Sequence, residues 1–347
     1  MNKIAFVGAG SWGTATAALV ARKEEHDVIL WARRPELAET ITLWHENPEY
    51  LPDCQLPENL RATNDLEECV TNADVVVMGV PSHGFRDVLT DVSALVPRTT
   101  KYLSLTKGIE VDTRKRMSEV IRETVEGIST ECVSVLTGPN LAKEIMQGHP
   151  AASTIACEDE KTARALQDVF HAPTFRCYTN SDVAGSELGG AFKNVIAIAA
   201  GMADGLGFGD NTKATVMTRG LAELARFSIQ FGAQPITFLG LAGVGDLIAT
   251  CASPQSRNHS VGIELGKGRK IDEIIGSMNM VAEGVKSCKP IWELGEKAGV
   301  WMPITENVVR ICHEDASIEE VVTDLLSREM RAEFEGVEDF LKFNPPV

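Results

Sequence analysis

The sequence predicts an α/β domain with a mostly parallel sheet, followed by an all-α domain. Three observations lead there. Short β-branched runs alternate with helical patterns through the first half, a glycine-rich turn follows the first of those runs, and long helical patterns replace strand patterns from about Ser181 onward. A chain of 347 residues is long for a single core, and we place the boundary so that 1–180 and 181–347 are the two domains.

Taken in order, the runs at 4–7, 28–31, 75–80, 102–105 and 133–136 read as buried strands, with later strands at 154–157 and 175–178. Helical spacing lies between them at 12–22, 84–95, 113–123 and 160–170. The second half carries helical patterns at 186–203, 214–231 and 283–298, punctuated by glycine turns. Strands alternating with helices imply a parallel sheet covered on both faces.

Bulk composition removes several classes of function. The formal charge of −16 disfavours nucleic acid and anionic membrane surfaces as partners. No apolar run reaches the length of a bilayer span, and strand residues start at Ile4, so we expect neither a membrane segment nor a leader. The eight cysteines follow no zinc or disulfide spacing. Reduced thiols in a cytoplasmic protein without a metal are the expectation.

Residues 8–13 read Gly8-Ala9-Gly10-Ser11-Trp12-Gly13, a GxGxxG turn between an apolar strand and a helix. In that setting it points to a Rossmann-like dinucleotide-binding domain. Gly8 permits a tight turn, Gly10 lets the backbone approach a pyrophosphate, and Gly13 lets helix and strand pack closely. The helix start offers unpaired N–H groups and the positive end of its dipole. At the end of the second strand stand Arg33 and Arg34, where an NAD site usually has an acid. Two guanidinium groups suit a 2′-phosphate, which favours NADP (NADPH) with NAD as the alternative. Solvated surface charge is the competing reading of the pair.

Three further strand ends carry Val80-Pro81-Ser82, Thr106-Lys107-Gly108 and Gly138-Pro139-Asn140. Ligands of open α/β sheets bind outside such ends, so these segments are expected to line one crevice, with Lys107 as its cation. In the helical half, Lys193 precedes a run of apolar residues and either snorkels to water or works in a cleft. A lysine held out of water gives up its proton more readily, which suits exchange with a carbonyl or hydroxyl oxygen. Asp246 either holds that lysine or caps a helix. Ser256, Arg257 and Asn258 either grip a phosphate at a helix start or serve as capping residues.

Together these segments resemble the bacterial type of NAD(P)-dependent glycerol-3-phosphate dehydrogenase. The likeness runs through GAGSWGTA at 8–15, HENPEYLP at 45–52, LTKGIE at 105–110, GPNLAKE at 138–144, ELGGAFKNVIAIAAG at 187–201, DGLGFGDNTKA at 204–214, AGVGDLIATC at 242–251 and SRNHSVG at 256–262. The resemblance implies reversible reduction of dihydroxyacetone phosphate to sn-glycerol 3-phosphate for phospholipid synthesis, by a homodimer. It implies Lys193 as the proton-exchanging residue, Lys107 as a lysine touching substrate and cofactor, and Asp246 as the carboxylate of the lysine network. Gly138, Asn140, Ser256, Arg257 and Asn258 match substrate positions. Ser11, Trp12, Arg33, Arg34, Tyr50, Ala142, Arg257, Val281 and Glu283 match cofactor positions. This chain has Asn140 where the family carries Ser or Thr, and it leaves the family pattern after Arg328. Two other readings share the glycine turn: a two-domain dehydrogenase of 3-hydroxyacyl thioesters or hydroxy acids, and a non-enzymatic NADP sensor. The first has no need of Ser256-Arg257-Asn258, and the second has no need of a proton donor.

Overall fold

In the computed structural model, which describes residues 3–278, 282–329 and 332–333, the chain divides into two units, Met1–Glu187 and Leu188–Val347. The strands of unit 1 are β1 (Lys3–Val7), β2 (Asp27–Trp31), β3 (Glu46–Asn47), β4 (Leu51–Gln55), β5 (Arg61–Thr63), β6 (Val75–Met78), β7 (Lys101–Ser104), β8 (Val133–Thr137), β9 (Ala151–Cys157) and β10 (Phe175–Asn180). β3 and β4 form a small antiparallel hairpin. The others make one sheet in the order β10-β9-β8-β7-β6-β1-β2-β5, parallel throughout except for the β8–β9 pair.

Alternation explains why this sheet is covered twice. Ile4 and Phe6 of β1, with Val75 and Val77 of β6, enter one core beside α1 (Ser11–Ala21), α2 (Pro35–Trp44) and α7 (Glu160–Phe170). Ala5, Val7, Val76 and Met78 enter the other, beside α3 (Leu66–Val70), α4 (Phe85–Ser93) and α5 (Met117–Thr124). The remaining helix of the unit is α6 (Ala142–Met146). Strand order reverses at β1, with β2 on one side and β6 on the other. The crevice of an open α/β sheet lies at that point.

The fold corrects several expectations. The helix expected at 113–123 starts only at Met117, because 109–116 close a turn through the Ile109–Arg116 bridge. The helix expected at 214–231 starts earlier, at Asp210. Helix α2, hairpin β3–β4 and edge strand β5 have no counterpart in the sequence reading.

Unit 2 is helical. Helix α8 (Val183–Gly205) starts before the division of the chain and continues into it. It is followed by α9 (Asp210–Gln230), α10 (Asp246–Ala252), α11 (Arg257–Gly266), α12 (Ile271–Gly276), α13 (Glu283–Lys297), α14 (Pro303–His313) and α15 (Ile318–Ser327). Helices α8 and α11 touch backbone to backbone. A Cβ on Gly201 would lie 2.1 Å from the His259 carbonyl oxygen, and one on Gly262 would lie 2.1 Å from that of Ile198. Among the described residues no helix is long and apolar enough to cross a membrane.

One buried carboxylate holds the start of α14. Glu223, 1 % exposed, accepts hydrogen bonds from the backbone N–H groups of Ile304 (2.6 Å) and Thr305 (3.1 Å) and from the Thr305 hydroxyl (2.9 Å). Burial nonetheless pushes its carboxyl up to about 7, against these donors and the nearby Arg226 charge. The folded state therefore keeps a proton that the unfolded chain releases above the ordinary value of 4.5. This contribution to stability is complete below that value and is lost as pH rises through 7. Urea unfolding should show the wild-type chain losing on the order of 3 kcal/mol relative to Glu223→Gln across this range. Parallel curves for the two proteins would refute the assignment.

Candidate active site

The glycine turn sits where β1 ends and α1 begins. Gly8 has φ +119° and lies between the ladder hydrogen bonds Gly8 N–H to Trp31 O (3.1 Å) and Gly79 N–H to Val7 O (2.9 Å). A Cβ on Gly13 would fall 2.1 Å from the Gly8 carbonyl oxygen, so only glycine lets α1 start this close to the strand. Gly10 tests whether a dinucleotide fits. Its φ of −71° suits any residue, and a Cβ there would meet no protein atom within 4 Å. Neither strain nor protein packing calls for glycine, whereas a pyrophosphate laid over the helix start does. No side chain caps α1. Trp12 packs into the core, tilted against Phe175 at 6.2 Å.

Hairpin β3–β4 is fastened to this turn by a residue the sequence reading did not single out. Asn47 is fully buried. Its amide donates to the Ala9 carbonyl (2.9 Å) and to the Thr14 hydroxyl (2.8 Å), and its Oδ1 accepts from the Tyr50 N–H (3.1 Å). Ser11 adds a hydrogen bond from its hydroxyl to the Tyr50 carbonyl (2.5 Å). Between these anchors lies Glu49, which the sequence reading also passed over. Its carboxylate is ion-paired with Arg34 and accepts from the Tyr50 hydroxyl, and both interactions hold the Glu49 carboxyl below its usual range. Arg33 is exposed and has no ion-pair partner among the described residues.

The three strand ends are laced together. The Thr106 hydroxyl donates to the Val80 carbonyl (2.6 Å), and Lys107 Nζ donates to the Gly138 carbonyl (2.7 Å). Gly138 has φ +145° and presses against Ser153 of β9, where a Cβ would come within 3.1 Å of the Cα. Asn140 donates to the Ser153 hydroxyl (3.1 Å), which in turn donates to the Thr137 carbonyl (2.8 Å). Ala142 opens α6 and packs half-buried against the core.

In unit 2, Lys193 does not snorkel. It is 5 % exposed, and its ammonium donates to Asp246 Oδ1 (2.5 Å) and to the Thr250 hydroxyl (2.6 Å). The approach is set one helical turn earlier on the same face of α8. A Cβ on Gly189 would sit 2.4 Å from the Ala242 carbonyl oxygen, so glycine admits the segment that leads into Asp246. That segment, Leu241–Gly245, is a wide turn kinked at Gly243. Gly245 occupies the cap position of α10 and Asp246 its first turn, so the Asp246 carboxylate serves the lysine rather than the cap. The Thr250 hydroxyl also donates to the Asp246 carbonyl (2.7 Å), closing the group.

Beside it, Asn258 donates to Asn194 Oδ1 (3.0 Å) and accepts from the Gly284 N–H (2.9 Å), which ties α8, α11 and the first turn of α13 together. Ser256 caps α11 by accepting from the His259 N–H (3.3 Å). Arg257, first residue of α11, keeps exposed surface, yet partial burial of its guanidinium lowers its pKa, and the charge of Glu283, first in α13, opposes that shift. Val281 lies outside the described residues. A cavity of about 710 Å³, lined in part by Glu223 and Arg226, has none of the candidate site residues among its described lining.

Comparison with known proteins follows the same division. Two family models match: the NAD-dependent glycerol-3-phosphate dehydrogenase N-terminus over residues 3–163 and the C-terminus of the same family over 182–323. A glycerol-3-phosphate dehydrogenase (NAD(P)+) of Sphingopyxis alaskensis is 52 % identical over 93 % of this chain and 96 % of its own. One from Corynebacterium aurimucosum is 48 % identical over 96 % of this chain and all of its own. The crystal structure of glycerol-3-phosphate dehydrogenase from Coxiella burnetii superposes with a TM-score of 0.89 at 35 % identity, covering 94 % of this chain and 99 % of that one.

The buried pair yields a stability test. Asp246→Ala leaves an ammonium in a site that is closed to water, and should cost about 3–5 kcal/mol in urea unfolding. The double variant Lys193→Met with Asp246→Leu should recover most of that loss, because no buried charge is left without a partner. A single variant as stable as the wild type would show that the pair is not closed to water.

Proposed function

The chain belongs to the NAD-dependent glycerol-3-phosphate dehydrogenase family and catalyses the NAD(P)-dependent interconversion of dihydroxyacetone phosphate and sn-glycerol 3-phosphate; we propose that Lys193 moves the proton of that reaction. The observation that carries the assignment is the ammonium held by Asp246 and Thr250 at 2.5 and 2.6 Å in a buried setting. When bound, the nicotinamide supplies a hydride to the ketone carbon. The Lys193 ammonium gives its proton to the oxygen that becomes an alkoxide, and takes it back in oxidation. Asp246 and Thr250 fix the direction of the ammonium, and Asp246 stabilises its charge before transfer.

Lys107, tied to the Gly138 carbonyl, adds positive charge for the developing oxyanion. Arg257 is the phosphate anchor. Asn258 positions the start of α11 through Asn194 and Gly284, and Gly138 and Asn140 shape the strand-end wall of the substrate site. Gly10 and Ser11 at the start of α1 would hold the pyrophosphate, and Arg33 would read a 2′-phosphate, which supports NADP as the favoured cofactor. Tyr50, Trp12, Ala142 and Glu283 complete the cofactor set, with Val281 assigned to it by sequence alone.

The eight unpaired thiols support placement in the cytoplasm. The family resemblance supports a homodimer. Sedimentation should return twice the chain mass, and a single-chain mass would overturn the dimer.

The direct assay is NADPH oxidation on addition of dihydroxyacetone phosphate, repeated with NADH. Lys193→Ala should lower kcat between about a hundred- and ten-thousandfold while NADPH still binds. Arg33→Asp should raise the KM for NADPH much more than that for NADH. Near-normal turnover by the lysine variant would sink its role, and equal KM shifts would remove Arg33 from 2′-phosphate recognition.

A further inference from the structure

The end of β2 lacks the acid that usually accepts from an adenosine ribose, yet the fold supplies one from elsewhere. Glu49 stands in the turn between β3 and β4, next to Tyr50 and two residues after Asn47. Both of these residues are fastened to the glycine turn, through Ala9, Thr14 and Ser11. Its carboxylate meets Arg34, one of the two guanidinium groups at the end of β2. Both side chains remain about half exposed, 51 % for Arg34 and 41 % for Glu49, so the pair is open to solvent and to a ligand. Arg33, next in the chain, is not held in this way.

Charge and hydrogen-bond chemistry separate the two cofactors at this point. A ribose 2′-hydroxyl donates a hydrogen bond, and a carboxylate accepts it. A 2′-phosphate is anionic. It is repelled by a carboxylate and attracted by a guanidinium that is not already neutralised. Resting on the cofactor reading above, we propose that Glu49 sets the balance between NAD and NADP: it provides the acceptor for the ribose and occupies Arg34, leaving Arg33 to recognise a 2′-phosphate. The site thereby admits both cofactors, with Glu49 working for NAD and Arg33 for NADP. Glu49 is a specificity residue and takes no part in hydride or proton transfer.

The test uses the full chain and two nucleotides that end at the adenosine, 2′,5′-ADP and 5′-AMP, titrated by calorimetry. Kinetics with NADPH and NADH are measured alongside. Glu49→Gln should tighten 2′,5′-ADP about fivefold and leave 5′-AMP no tighter, and should lower the KM for NADPH relative to that for NADH. Arg34→Ala should weaken 2′,5′-ADP little in the wild-type chain and about fivefold more in the Glu49→Gln background, where Arg34 is released. Equal shifts for the two nucleotides, or an Arg34→Ala effect of the same size in both backgrounds, would overturn the role of Glu49. A wild-type chain that binds neither nucleotide and neither cofactor would overturn the cofactor reading itself, and the role of Glu49 with it.

Discussion

A lysine that is 5 % exposed must have its ammonium paired, and the middle of unit 2 is organised around that requirement. The lysine sits on a helix, so its partner has to be brought to it by another segment. Gly189 makes room for that segment, the kink at Gly243 turns it, and Asp246 arrives at the start of a new helix. Thr250, one turn further along, hydrogen-bonds both members of the pair. Each of these features would be a defect if taken alone: a glycine inside a helix, an irregular turn, and a carboxylate shut away from water. They are consistent only as supports for one buried charge.

Unit 1 meets a different constraint with a related device. A dinucleotide site needs backbone N–H groups brought close to a ligand, and side chains at the turn would prevent it. Glycines at 8 and 13 satisfy the packing of strand and helix, while Gly10 keeps the space over the helix start clear. The strand ends beyond are joined by side-chain hydrogen bonds rather than by sheet ladder, through Thr106, Lys107 and Ser153. In this region Lys107 donates to the Gly138 carbonyl, while Lys193 of unit 2 donates to a carboxylate.

Much of this was legible in the sequence. The strands at 4–7, 28–31 and 75–80 announced themselves because a sheet buried on both faces needs continuous apolar runs. The glycine turn, Lys107, Lys193 and Asp246 stood out because each sits at a strand end or beside an apolar helix. Hairpin β3–β4 and strand β5 did not, because short polar segments such as Glu46–Asn47 and Arg61–Thr63 carry no periodicity to read. Helix α2 offered a proline at its first position, but its apolar face is narrow and its end exposes Leu43 and Trp44. Glu49 was invisible for a deeper reason. It acts at the end of β2 from a turn that follows that strand by more than a dozen residues, and only the hairpin brings it there.

The full burial of Asn47 has a consequence for how this enzyme can diversify. Every polar atom of that amide is committed to the glycine turn or to the hairpin, so the two move as one piece. Arg33, Arg34 and Glu49 decorate the outside of that piece, joined to it by a solvent-exposed ion pair and by the Tyr50 hydroxyl that donates to Glu49. Cofactor choice is thereby separated from cofactor anchorage. Lineages descending from such a scaffold can exchange one nicotinamide pool for the other by surface substitutions, without passing through a form that has lost its grip on the pyrophosphate.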